Sequence, residues 1–255
     1  MNFYNFTTLL FTYKMTDNFK CVLSIGIRCF TEFYLKYTKL KKFSGIFDGL
    51  YLTNVNSIIY ILQNKFIESD LIYTENSDNI IINDLNNRHG FRTIHKNLNY
   101  DENNLISSFH NAFMPHHNYN CDKVKIHFDK CFSRFEVIKK HKIKTLFCLF
   151  CHPGYNSDKE LEQDDILLLN DYLQKEYNYH LLFIKFKCFD STNSWEILQN
   201  SNDNITFINV NNSNVNSESQ VKVLIEIFKY MKVIDNELLT YNDLEILCNE
   251  NSKNT

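Results

Sequence analysis

The sequence predicts an α/β protein: a three-layer, mostly parallel, Rossmann-like sheet with helices on both faces. Three observations carry that prediction. Lys144–Phe150, Tyr179–Phe186 and Ile205–Val210 are continuous apolar runs and not alternating ones, so both faces of each strand need cover. Helical patterns at Lys159–Glu176 and Ser217–Met231 separate or follow these runs, which implies right-handed crossovers within one sheet. The 255 residues are 44% hydrophobic and 15% aromatic, enough apolar material for one large core.

The elements follow in order. Met1–Lys14 is unusually aromatic and Met15-Thr16-Asp17 resembles a second start, so residues 1–19 read as a poorly ordered extension. Cys21–Ile25 is a short apolar strand that ends at Gly26. Phe30, Phe33, Tyr34 and Tyr37 recur at helical spacing over 29–40, and Val55, Ile58, Ile59 and Leu62 do so over 54–65. Residues 66–100 are mixed, with β-like pieces at Ile80–Ile82 and Phe91–Ile94, and Asp101–Phe109 reads as a short helix. Ala112-Phe113-Met114 is strand-like and stops at Pro115. Asp122–His141 is a long helix, and Trp195–Asn200 carries a helical pattern with Trp195 in the core. Asn200–Asn204 and Asn209–Asn216 are polar loops. The pattern weakens past Asp235, so the expected domain is 20–235, followed by a tail over 236–255.

Composition removes several function classes. A formal charge of -3 without a basic block argues against nucleic acid as partner. No apolar run approaches the roughly 20 residues of a membrane span. The start lacks a secretory pattern, so the eight cysteines are expected as reduced thiols in a cytoplasmic protein. About 35 asparagines against 5 glycines point to AT-rich coding, as in a protist or a giant virus, the latter placing the protein in host cytoplasm. Gly26, Gly45 and Gly49 form no nucleotide-binding fingerprint, and no cofactor is expected.

Ser24-x-Gly26-x-x-Cys29 is the stretch richest in chemistry. A strand runs through a glycine turn into a cysteine at a helix start, where unpaired N–H groups favour thiolate and can hold an oxyanion. Arg28 adds positive charge. The alternative is a cysteine that merely packs against the sheet. A thiol nucleophile needs an imidazole, and His116 and His117 follow a strand end in the crevice-facing position. Asp48, flanked by apolar residues, either orients that histidine or caps its own turn.

Four blocks occur in order: Ser24-Ile25-Gly26-Ile27-Arg28-Cys29, Ser44-Gly45-Ile46-Phe47-Asp48, Phe113-Met114-Pro115-His116-His117, and Arg134-Phe135 before the strand at 144–150. Together they resemble an uncharacterised family catalogued as papain-like cysteine peptidases. The resemblance implies Cys29 as nucleophile, His116 or His117 as base and Asp48 as orienting acid. Ser24, Gly26, Arg28 and the matching Arg134 would line the oxyanion and substrate side. Ile46, Gly49, Lys130 and Cys131 depart from the family pattern. A papain fold pairs a helical lobe with an antiparallel barrel, whereas the periodicity here predicts a parallel sheet.

Two other strings carry weaker chemistry. Cys148-x-x-Cys151-His152 matches a haem-attachment string, and Cys121, His116, His117, Cys151 and His152 are a loose zinc set; no metal is expected from either. The acidic run Asp158–Asp165 suits a helix start. The sequence thus points to a cysteine-dependent hydrolase or acyltransferase acting on a peptide or other acyl substrate. The alternatives are a transferase for sugars or other groups, with Cys29 structural, and a non-catalytic interaction module.

Overall fold

The computed structural model describes residues 18–26, 29–52, 55–66, 72–75, 105–109, 112–114, 122–151, 161–187, 194–198, 204–211 and 217–252. Within them the chain runs β1 (Cys21–Ser24), α1 (Cys29–Tyr37), β2 (Tyr51–Leu52), α2 (Val55–Asn64), β3 (Ile72–Glu75), β4 (Leu105–Phe109), β5 (Ala112–Met114) and α3 (Asp122–Lys140). It continues with β6 (Thr145–Cys151), α4 (Gln163–Glu176), β7 (Tyr179–Lys187), β8 (Ser194–Leu198), β9 (Ile205–Asn211), α5 (Ser217–Tyr230) and α6 (Tyr241–Ser252).

A five-stranded sheet in the order β1-β6-β7-β9-β8 forms the middle layer. Its first four strands are parallel and β8 closes the edge antiparallel to β9. This is the expected α/β architecture. Alternate residues of the apolar runs face opposite layers. Leu149, Leu181, Phe183 and Phe207 pack with α2, α3, α4 and α6, while Leu146, Cys148, Leu182, Ile184 and Ile208 pack with α1 and α5. Runs without a strict apolar–polar alternation are what this two-sided burial requires. A second sheet, ordered β2-β5-β4-β3 and antiparallel, is inserted between α1 and α3.

Four expectations change. Residues 194–198 form an edge strand in place of a helix, because β9 offers an unpaired edge and Trp195, two residues from Ile197, shares the face of Val210 and Ile208. Residues 105–109 pair with both β3 and β5 as a strand, a choice that a short apolar window leaves open. The C-terminal stretch expected as a tail contains α6. Thr240 N–H donates to Asp243 Oδ2 at 2.7 Å and Asp243 N–H to Thr240 Oγ1 at 3.4 Å, a reciprocal cap, and Leu244 is wholly buried. Phe19, assigned to the extension, is also wholly buried. Residues 1–17, 80–82 and 91–94 lie outside the described residues. No helix among the described residues is long and apolar enough to cross a membrane.

Candidate active site

The β1–α1 junction is built by close packing. Ile25 N–H continues the ladder to Cys148 O at 2.9 Å, and Gly26 N–H reaches the Ser24 hydroxyl at 3.4 Å. The chain then leaves the sheet. Phe150 N–H, past the end of the β1 ladder, donates instead to Thr31 Oγ1 at 3.2 Å, in the first turn of α1. A Cβ on Gly26 would lie 2.2 Å from that same oxygen, so the close approach of helix and strand demands glycine there. Ser24 and Gly26 therefore bring α1 down onto the sheet end. Cys29 is the first residue of α1; its side chain, and Arg28 entirely, lie outside the described residues.

Topology opens a crevice at this point. After β1 the chain forms α1 on one face; after β6, its parallel neighbour, it forms α4 on the other. Neighbouring strands whose helices depart to opposite faces leave a gap above their carboxyl ends, where open α/β sheets bind ligands.

The 44–48 block lies beside α1 through charge. Asp48 Oδ2 accepts Gly45 N–H at 2.8 Å and pairs with Lys41 Nζ at 2.8 Å. Lys41 also pairs with Glu32, which stands one turn along α1 from Cys29. Burial pushes the Asp48 carboxyl up from its ordinary value, with Lys41 opposing the shift. Burial works against the Lys41 charge as well, yet Asp48 and Glu32 outweigh it and hold the lysine pKa above its ordinary value. Among the described residues, Asp48 thus caps its own turn and anchors a lysine.

Arg134 holds the same block from the other side. Its Nη1–H donates to Ser44 O at 3.2 Å, its Nη2 pairs with Glu245 at 3.3 Å, and its guanidinium lies 4.6 Å from the Tyr241 ring centroid. Nearly inaccessible and engaged at both terminal nitrogens, it ties α3 to the turn and to α6. That contact set is a tether between elements.

The second sheet returns to this region. Tyr51 pairs with Phe113 and Leu52 with Ala112, so the end of β5 comes back towards the chain at Leu50, two residues after Asp48. His116 and His117 follow β5 in sequence and lie outside the described residues. Comparison with protein-family models, curated proteins and solved structures gives no match.

Sequence reasoning missed Glu32, Lys41 and His127. The first two look like ordinary helix-surface charges in sequence, and only the fold joins them to Asp48. His127 Nε2 lies 3.7 Å from Cys131 Sγ, one turn apart on α3, and the Cys131 thiol donates to Ser44 O at 3.6 Å. An i, i+4 His–Cys pair was the available signal. Burial, then Arg134 and Lys41, lower the His127 pKa from its ordinary value. Burial pushes the Cys131 thiol up to about 12, which makes it a poor nucleophile.

Cys148 and Cys151 face opposite sides of β6 and join different core clusters, so they cannot converge on one metal or one haem. No group of potential metal ligands occurs among the described residues; Cys121, His116, His117 and His152 of the loose zinc set lie outside them.

Proposed function

We propose that this protein is a cysteine-dependent hydrolase or acyltransferase in which Cys29 attacks a carbonyl, with His116 or His117 as its acid–base partner. The observation that carries the reading is convergence. Helix α1, which begins at Cys29, is held to the 44–48 turn through Glu32–Lys41–Asp48, and the β2–β5 register (Tyr51 with Phe113) returns the strand that precedes His116 to the chain just after that turn, next to the crevice at the β1 end.

In this mechanism the Cys29 thiolate forms a bond to the acyl carbon, and the oxygen takes the displaced electron pair. The unpaired N–H groups at the start of α1 hold that oxyanion. The histidine accepts the thiol proton and delivers it to the leaving group as the tetrahedral centre collapses. Water or an acceptor then attacks the thioester, with the same histidine taking its proton and the sulfur leaving. Asp48 contributes by holding the 44–48 turn and Lys41 beside α1. Peptide cleavage is the narrower form of this reading, supported by the motif blocks that resemble the peptidase family.

The test is modification by a neutral chloroacetamide probe at pH 7, mapped by peptide mass, in the native chain and in Cys29→Ala and His116→Ala/His117→Ala variants. The expected result is fast labelling at Cys29 that slows at least about tenfold without the histidines. Native Cys29 that reacts no faster than an unfolded thiol would sink the nucleophile.

A further inference from the structure

Three helices end in the same way. α1 closes on Lys36-Tyr37-Thr38-Lys39, α5 on Lys229-Tyr230-Met231-Lys232 and α3 on Lys139-Lys140-His141-Lys142. In each, the last lysine is left-handed: φ is 61° at Lys39, 55° at Lys232 and 49° at Lys142. Its N–H donates to the carbonyl of the first lysine, at 3.0, 2.9 and 3.2 Å in that order. The next N–H reaches one residue further back, Leu40 to Leu35, Val233 to Phe228 and Ile143 to Ile138. This pair of hydrogen bonds is a helix cap whose left-handed position normally holds glycine or asparagine.

Neither the cap nor the helix dipole calls for lysine at that position. Glycine takes the conformation without strain, and asparagine, abundant in this chain, comes next. The cation that a helix carboxyl end favours is already present in each last turn as Lys36, Lys139 or Lys229. Lys36 stands 3.9 Å from Glu32, and Lys139 pairs with Glu176. Lys39, Lys142 and Lys232 are a second set, and all three are exposed.

The three caps share the amino end of the parallel strands. α1 and α5 run back from the strands they follow, and α3 leads into β6. Lys20 N–H, just before β1, donates to Lys144 O at 2.8 Å, and Lys144 Nζ lies 5.9 Å from the Phe19 ring centroid. Phe19 belongs to the same buried cluster as Leu40 and Val233. The α1 and α5 caps on one face and the α3 cap on the other thus border one surface, about 20 Å across. Asp235 and Glu237 follow the α5 cap, against Lys20 and the three cap lysines. This end is therefore positive, although the whole chain carries -3.

We propose that Lys39, Lys142 and Lys232 form a docking surface for the phosphate backbone of nucleic acid. A net negative charge argues against such a partner only when the charge is evenly spread. Cations distributed over about 20 Å suit a polymer of phosphates better than a single phosphate group. Leu40 and Val233, beside the cap lysines, are buried, so these two caps offer a membrane no apolar tip. The exposed rings of the caps are Tyr37, Tyr230 and His141, which stack on bases. The surface lies at the end of the sheet opposite the Cys29 crevice and stands or falls without the acyl-transfer reading.

The test is fluorescence anisotropy of a labelled DNA duplex of about 20 base pairs, titrated with the full-length chain from about 50 to 200 mM salt. Lys39→Gly/Lys142→Gly/Lys232→Gly removes the charges and relieves the left-handed backbone, so this variant keeps the native melting temperature or exceeds it. Its affinity for the duplex should fall at least about tenfold, and the slope of log K against log salt should shrink by about 2–3. Lys65→Gly is the control. Lys65 is also left-handed, at φ 60°, but the adjoining Phe66 packs on Phe128 and Phe132, towards the other end of α3. That variant should bind as the native chain does. The surface is overturned if the native chain leaves the duplex free at the lowest salt, or if the triple variant binds equally well. It is overturned too if Lys65→Gly weakens binding as much, or if phosphatidylserine vesicles are bound and the duplex is not.

Discussion

Gly26→Ala probes the packing on which the junction depends. The added Cβ would meet Thr31 Oγ1 at 2.2 Å and Thr31 Cβ at 2.9 Å, while the next atom, Ser24 Oγ, lies at an ordinary 3.6 Å. The strain therefore falls on one residue of α1. Overpacking of this kind costs about 1–3 kcal/mol. Pushing Thr31 away also removes the acceptor of Phe150 N–H at 3.2 Å, and an orphaned buried donor costs about 1–3 kcal/mol more. The expected loss is then about 2–6 kcal/mol in urea unfolding. Thr31→Ala alone loses the hydrogen bond and about 1–3 kcal/mol. In that background Gly26→Ala costs less, since the nearest clashing atom is gone and the bond is already broken. The double-mutant cycle should show a coupling of about 1–3 kcal/mol. Additivity to within about 0.5 kcal/mol, or a single variant as stable as the native chain, would refute the claim that Gly26 is set by Thr31.

Asp48→Ala strips Gly45 N–H of its acceptor and leaves Lys41 with Glu32, so a loss of about 3–5 kcal/mol is expected; Asp48→Asn keeps an acceptor and should lose less. Equal urea midpoints for the two variants would contradict the capping role. Alkaline stability should fall with the buried thiols. Burial raises Cys21 and Cys131 from 9.0 to about 12 and Cys148 well above its ordinary value. Their contribution is complete below pH 9.0 and is lost as pH climbs towards 12, by up to about 1.4 kcal/mol per pH unit for each thiol. Cys21→Ala should flatten that slope by one thiol's share, and an unchanged slope in unfolding titrations would count against it. Leu244→Ala should lose about 2–5 kcal/mol, and a stop after Asp235 should lose more, because it also removes Tyr241 and Glu245 from Arg134. A truncated chain with the native melting temperature would show that α6 adds nothing.

The sequence by itself determined the sheet and most of its helices. Predominantly apolar, non-alternating runs at 144–150, 179–186 and 205–210 have one stable solution, burial on both faces, and the 3.6-residue patterns of α1 to α5 lie where that solution needs cover. It also determined the strand–glycine–helix form of the Cys29 motif, because the glycine and the helical spacing are local signals. The edge strand at 194–198 and the strand at 105–109 depended on which partner edge was available, and α6 on a single buried leucine and a cap. Tertiary structure alone decided the partners of the charged groups. Glu32, Lys41, Asp48, Arg134 and Glu245 carry no local mark of pairing, since an ion pair depends on separation in space, and that separation appears only once α1, α3 and α6 have packed. The Asn209–Glu196 hydrogen bond has the same origin: the two residues become neighbours through the register of β9 and β8, a relation between segments that no one segment contains.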